Sequence, residues 1–332
     1  MSKRIRAYKT SPRPRAGGFV QIRAFSKINL ILDVLGKRPD GYHDVRTVMQ
    51  TLALHDMLTI SIVPTQRERF QLECSNPNLP TDERNLVTRA ARYMIQEYDI
   101  TLPVHIHLEK RIPIAAGLAG GSSDCAATLA GLNNLFNLNI PMFCDTLETE
   151  CEAQQKVHKN ALHSVKQQSL MAIGLRFGAD VPFCLLGGTA LAEGIGERLT
   201  PLTPHPHCWV VLACPNIRVS TKSVFGRVNL DTISPNNATA MINALTQGSL
   251  QQIAANLSND LTKVTAAIHP VIYDLIDEMK NQGATGASMS GSGPSVFGYF
   301  SNRESAKKAQ KNLENIAGRA FLTEIVNIAG GA

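Results

Sequence analysis

The sequence predicts an α+β fold built from two units, on three observations. Short strand-like and helix-like segments are intermixed without a regular βαβ repeat, which argues against a doubly wound sheet. The chain has 332 residues, long for one minimal domain and suited to two. Hydrophobic residues make up 44% and charged residues 18%, enough apolar matter for a sizeable core and too little charge for wholesale disorder.

Arg23 to Val34 is apolar with a few polar interruptions and reads as a strand. The Gly36-Lys37-Arg38-Pro39-Asp40-Gly41 cluster is a turn. Val45 to Leu54 is largely apolar, and Met57 to Val63 alternates as a half-buried strand does. Asn85 opens a helix whose apolar face is Leu86, Val87, Ala90, Ala91 and Met94. Val104 to Leu108 alternates again as a strand; a glycine-rich run follows, then a helix over Asp124 to Leu135. Residues 141–170, rich in Gln and Lys with no Gly or Pro after Pro141, read as a polar helical insertion on the surface. Gly178 to Pro182 is a loop leading into a short apolar strand at Phe183 to Leu186. Gly, Thr and Pro accumulate over 187–207, which favours a domain boundary near 190–205. Beyond it come a strand at Trp209 to Ala213, helices near 236–247, 249–256 and 270–281, a strand at Ser295 to Phe300, and a helix at Arg303 to Ile316. The expected division is a basic, disordered tail over 1–21, an N-terminal unit over 22–195 and a C-terminal unit over 196–332.

The net charge of +6 belongs to the tail. Residues 1–23 carry seven bases and no acid; removing those from the 33 basic residues leaves 26 against 27 acids, or −1 for the body. A body of that charge speaks against a nucleic-acid-binding surface, and the tail has no apolar stretch to act as a secretory signal. No apolar run reaches the roughly 18–20 residues that a membrane-spanning helix needs. Seven scattered cysteines without a Cys-x-x-Cys pair read as reduced thiols of a cytoplasmic protein. His105 and His107 share one strand face, as a metal pair would, but alternation on a half-exposed strand fits them better.

Four features can carry chemistry. The first is the run Pro113-Ile114-Ala115-Ala116-Gly117-Leu118-Ala119-Gly120-Gly121-Ser122-Ser123 between a strand and a helix. Glycines let backbone approach an anion closely, and the first turn of the following helix offers unpaired N–H groups with partial positive charge. Together they suit a phosphate, with the two serine hydroxyls as further ligands to phosphate or Mg²⁺; a tight strand-to-helix turn is the plainer reading. The run is neither a Walker loop nor a Rossmann fingerprint, lacking the lysine of the first and the glycine spacing of the second. The second feature is Gly283 to Pro294, small residues able to pack on a ligand or on another loop. The third is Lys27 with Asn29 inside an apolar strand, where an ammonium is costly unless it is paired or reaches the edge. The fourth is Asp180, which could equally be a turn or cap residue.

Ser26-Lys27-Ile28-Asn29-Leu30, Asp40-Gly41-Tyr42-His43, the Pro113 to Ser123 loop, Gly178-Ala179-Asp180-Val181-Pro182, Glu193-Gly194-Ile195-Gly196-Glu197 and Gly286 to Pro294 together resemble the superfamily of galactokinase, homoserine kinase, mevalonate kinase and phosphomevalonate kinase (GHMP kinases). Within it they most resemble the 4-diphosphocytidyl-2-C-methyl-D-erythritol kinases of non-mevalonate isoprenoid synthesis; the Asp-Gly-Tyr-His element carries that choice. The resemblance spans residues 22 to 325. It implies two α+β halves with the active site in the cleft between them, and ATP with Mg²⁺ as cofactors. The acceptor would be a small molecule carrying a cytidine diphosphate group, phosphorylated at its 2-hydroxyl. Asp180 would be the catalytic base, with Lys27 beside it and the transferring phosphoryl group. The Pro113 to Ser123 loop would hold the ATP phosphates and Asn85 would lie near the nucleotide. Tyr42 and His43 would hold the cytosine, Phe225 would stack from the other side, and Asn29 would lie near the substrate. Monomer and homodimer stay open, and no metal ligand is identified beyond the loop serines. The chain departs from the family in its tail, in the length of 141–170, and in Ala115, Ala116 and Ala119 where glycine is usual. An alanine there requires a φ that a Cβ permits.

Overall fold

The computed structural model describes residues 17–143, 169–230 and 238–327. Most of the basic tail and of the 141–170 insertion, with Cys144 and Cys151, lies outside the described residues.

Two long strands, β1 (Phe19–Lys37) and β2 (His43–Ile62), form an antiparallel hairpin that is the spine of the molecule. Strand β1 starts inside the segment read as tail. From Ala24 to Val34 it is buried on both faces, so it lies between two layers rather than at a surface. The sheet continues with β3 (Phe70–Cys74), β4 (Val104–Glu109), β5 (Thr189–Gly194), β6 (Arg198–Pro201) and a short β8 (Ser258–Asn259). Its order is β3-β4-β2-β1-β8, and the β5–β6 hairpin pairs the first half of β2. Helices α1 (Leu86–Glu97), α2 (Gly120–Leu135), α3 (Leu170–Leu175) and α4 (Val181–Leu186) close over a core that includes Leu58, Ile60, Ile106, Met94 and Leu129.

A second, four-stranded antiparallel sheet has the order β11-β7-β10-β9, from β7 (Trp209–Ala213), β9 (Gly286–Met289), β10 (Val296–Phe300) and β11 (Ala320–Glu324). Helices α5 (Thr221–Phe225), α6 (Ala238–Thr246), α7 (Leu250–Ala255), α8 (Leu261–Ile268), α9 (Val271–Asn281) and α10 (Arg303–Ala317) accompany it. Leu30, Val48, Leu212 and Phe297 share a core that joins the two sheets, and Leu54 N–H donates to Thr323 across the seam at 2.8 Å. The chain passes from one sheet to the other between Pro201 and Trp209. The β5–β6 hairpin spans position 195, so residues on both sides of the expected boundary belong to the first sheet.

Residues 183–186, expected as a strand, form helix α4. A run of four apolar residues does not distinguish the two, and Pro182 in the first turn favours the helix. No described helix is long and apolar enough to cross a membrane. The described cysteines are free thiols, and burial pushes Cys184 and Cys208 up to about 12.

Candidate active site

Lys27 owes its position to irregular strand pairing. The β1–β2 register shifts between Phe25 and Lys27 and again between Asn29 and Ile31, and such bulges re-aim side chains out of the ordinary alternation. Lys27 is 5% exposed. Its Nζ donates to Asn29 Oδ1 at 2.9 Å and stands 3.6 Å from Asp180 Oδ2. Asn29 Nδ2 in turn donates to Thr47 Oγ1 at 2.8 Å, and Thr47 Oγ1 to the Ile31 carbonyl at 2.5 Å. The lysine is therefore paired, not snorkelling. Asp180 occupies the N-cap position of α4, yet its side chain makes no capping hydrogen bond; at 39% exposure it is open to the cavity and faces the ammonium.

The glycine-rich run turns from β4 into α2. Ala119 at the N-cap has φ 57°, and Ala115 has φ 53°. Both sit in the left-handed region, which costs a residue with a Cβ roughly 1–2 kcal/mol; the alanines thus take up the glycine conformation. Gly117 (φ +74°) is required for a different reason: a Cβ there would lie 2.3 Å from the carbonyl oxygen of Ser290. The Gly283 to Pro294 run is therefore packed on the phosphate-type loop. Ser290 Oγ donates to the Gly117 carbonyl at 2.9 Å, and Ser295 N–H donates to the Ala116 carbonyl at 3.3 Å.

Beneath the first turn of α2 lies a cluster that the sequence reading missed. Lys110 Nζ donates to Asp56 and to Asp124 Oδ2, the latter at 2.7 Å. Asp56 also accepts from the backbone N–H groups of Arg111 and Ile112. All three side chains are almost fully buried. Burial raises Asp124 to about 8, since one ammonium cannot neutralise two carboxylates out of water and Asp124 Oδ1 has no hydrogen-bond partner among the described residues. An Asp on the alternating strand 57–63 flank and a Lys just before the glycine run were the available signals.

A cavity of about 1130 Å³ runs past these groups. Lys27, Asn29, Tyr42, His43, Asn85, Asp180, Phe225 and the loop from Pro113 to Ser122 all lie on its wall, whereas Ser123 does not. That serine is buried, and its hydroxyl donates to the Phe25 carbonyl, so of the two loop serines only Ser122 faces the cavity. Asn85 reaches the wall, but its side chain is occupied: Oδ1 caps α1 by accepting from Val87 N–H at 3.0 Å, and Nδ2 donates to the Pro80 carbonyl at 2.8 Å. At the far end, Arg38 holds the Asp40–His43 turn through Asp40 and Asp44. Tyr42 is 62% exposed, and the His43 and Phe225 rings are 5.3 Å apart and tilted by 34°. Burial, and then the charge of Lys37, lower the pKa of His43. His105 and His107 stand apart, both approaching Glu73 on β3.

The arrangement is a cleft with a glycine-rich loop at a helix N-terminus, a paired lysine and aspartate beside it, and two facing aromatic rings at its mouth. The family model for the GHMP kinases N terminal domain matches residues 85–188, and that for the GHMP kinases C terminal matches 241–320. A 4-diphosphocytidyl-2-C-methyl-D-erythritol kinase of Caldicellulosiruptor bescii is 41% identical over 308 residues, covering 92% of this chain and 96% of its own. One from Lachnoclostridium phytofermentans is 43% identical over 291 residues, covering 87% and 91%. A crystal structure of 4-(cytidine 5'-diphospho)-2C-methyl-D-erythritol kinase superposes with a TM-score of 0.72 at 31% identity, covering 92% of this chain and 99% of its own. Homoserine kinase from Cytophaga hutchinsonii, at 17% identity and a TM-score of 0.66, shares the fold. The cleft and these likenesses agree: the chain is a kinase and belongs to the 4-diphosphocytidyl-2-C-methyl-D-erythritol kinase family of the GHMP kinases.

Proposed function

We propose that this kinase phosphorylates the 2-hydroxyl of 4-diphosphocytidyl-2-C-methyl-D-erythritol, a step of the non-mevalonate route to isoprenoid precursors, and that it works in the cytoplasm. The observation that carries the reading is the Lys27–Asp180 pair, 3.6 Å apart, on the wall of one cavity shared with the glycine-rich loop and the His43–Phe225 slot.

Phosphoryl transfer asks a protein mainly for positioning and charge stabilisation. ATP supplies the phosphoryl group. The first-turn N–H groups of α2 and the loop from Pro113 to Ser122 form a concave, donor-lined wall suited to its phosphates. The Ser122 hydroxyl is a hard oxygen ligand of the kind Mg²⁺ accepts, alongside phosphate and water. Asp180 accepts the proton of the attacking hydroxyl; its carboxylate, uncapped and open to the cavity beside Lys27, suits a base. Lys27, fixed by Asn29 and Thr47, presents positive charge where negative charge builds in the transition state. Tyr42, His43 and Phe225 receive the cytosine by stacking and hydrogen bonding, and Asn29 borders the acceptor.

ATP consumption by the purified protein with Mg²⁺, measured with 4-diphosphocytidyl-2-C-methyl-D-erythritol beside homoserine, mevalonate and galactose, tests the reading. Turnover with the cytidine-bearing alcohol alone is expected. Turnover with another alcohol would discard the acceptor, and ATP binding without turnover on any of them would discard the reaction.

A further inference from the structure

The acceptor proposed above carries a diphosphate between its nucleoside and its alcohol, and two negative charges in a cleft need partners. Five basic side chains line the cavity: Lys27, Lys37, Arg84, Lys110 and Lys222. Three are already matched by carboxylates. Lys27 faces Asp180, Lys110 is shared by Asp56 and Asp124, and Arg84 pairs with Asp82 at 2.7 Å. Lys37 and Lys222 have no ion pair or side-chain hydrogen bond among the described residues.

Their places in the fold are specific. Lys37 ends β1 directly opposite His43 in the β1–β2 register. Lys222 lies on α5 three residues before Phe225, a spacing that sets two side chains on one helix face. The two free cations therefore flank, from opposite walls, the ring pair that forms the aromatic slot. Helix α5 is itself held in place, because Thr221 Oγ1 bonds Ser292 Oγ at 2.9 Å. Both lysines are exposed, so they reach a bound anion without first breaking an internal ion pair. A phosphate group next to the slot would give each of them a charge-assisted hydrogen bond.

We infer that Lys37 and Lys222 clamp the diphosphate of the acceptor and so set the preference for a nucleoside-diphosphate-linked alcohol over a free alcohol. This rests on the acceptor reading above, and the experiment separates the two. Calorimetric titration of wild type, the Lys37→Met/Lys222→Met double variant and the Lys37→Arg/Lys222→Arg double variant would use cytidine, cytidine diphosphate and ATP as probes. Wild type should bind cytidine diphosphate more tightly than cytidine. The methionine pair should lose about tenfold to thirtyfold in cytidine diphosphate affinity while cytidine and ATP stay within about twofold, and the arginine pair should keep the wild-type preference. In turnover, the loss should fall on the acceptor KM rather than on kcat. An unchanged ratio of cytidine diphosphate to cytidine affinity in the methionine pair would overturn the clamp, as would a loss of ATP affinity instead. A wild-type protein that binds neither cytidine compound would overturn the acceptor reading and the clamp with it.

Discussion

The two ends of the cleft are built in opposite ways. At the Lys27 end the lysines are buried and already engaged: Lys27 with Asn29 and Asp180, Lys110 with Asp56 and Asp124. The loop above them is held by hydrogen bonds from the Ser290 hydroxyl to the Gly117 carbonyl and from the Ser295 N–H to the Ala116 carbonyl. At the Tyr42 end the ring of Tyr42 stands in solvent, and Lys37 and Lys222 are exposed without ion-pair partners among the described residues. Charge that must be in place when a phosphoryl group moves is organised beforehand, which spares reorganisation during the reaction. Groups that recognise an arriving ligand can stay solvated until it comes. Substitutions at the first end should therefore strike rate or stability, and substitutions at the second should strike affinity.

The largest effect should come from Lys27→Met, which keeps the buried stem and removes the charge. We expect kcat to fall by about 10²–10³-fold in steady-state assays, with acceptor KM within a few-fold; a change confined to KM would move Lys27 into the recognition class. Next is Gly117→Ala. Its Cβ would meet the Ser290 carbonyl oxygen at 2.3 Å from a φ of +74°, so urea unfolding should show a loss of about 2–4 kcal/mol. A loss under about 1 kcal/mol would mean that the two loops are not locked together.

The buried cluster makes a pH prediction. Asp124, raised to about 8, keeps its proton in the folded chain at pH values where the unfolded chain has lost it. Stability should therefore fall as pH rises from the ordinary carboxylate range towards about 8, by at most about 1.4 kcal/mol per pH unit, and level off above. Lys110 and Asp56, which touch it, temper the slope. Melting curves between pH 6 and 9 should show the decline in wild type and a flatter profile in Asp124→Asn; parallel profiles would contradict the assignment. The smallest effect belongs to the mouth: Tyr42→Ala should raise the acceptor KM by about tenfold and leave kcat near wild type. A tenfold fall in kcat instead would erase the contrast between the ends.

Much of this was legible in the chain. The strand–glycine run–helix order located the α2 N-terminus, and a lysine inside an apolar strand required a partner, which Asp180 and Asn29 supply. Other features were not. The contact of Gly117 with Ser290 joins positions 173 residues apart, and no local pattern encodes it. Strands β5 and β6 were not read from the sequence, because Thr, Gly and Pro mark hairpin turns and linkers alike. Strand β9 was hidden inside a glycine- and serine-rich run. Ser122 and Ser123 look equivalent in sequence, yet the helix turns one towards the cavity and the other towards Phe25. Lys37 and Lys222, far apart in sequence, meet only in the folded chain, on the wall of one cavity.

The central claim is that chemistry resides at the buried end and that Asp180 is its base. The most direct measurement is the single-turnover rate of phosphoryl transfer in Asp180→Asn at saturating ATP and acceptor, with ATP affinity measured on the same protein. A rate lower by about 10²–10⁴-fold with ATP affinity unchanged is expected. A near-wild-type rate would remove Asp180 from the base role and place the chemistry elsewhere in the cleft.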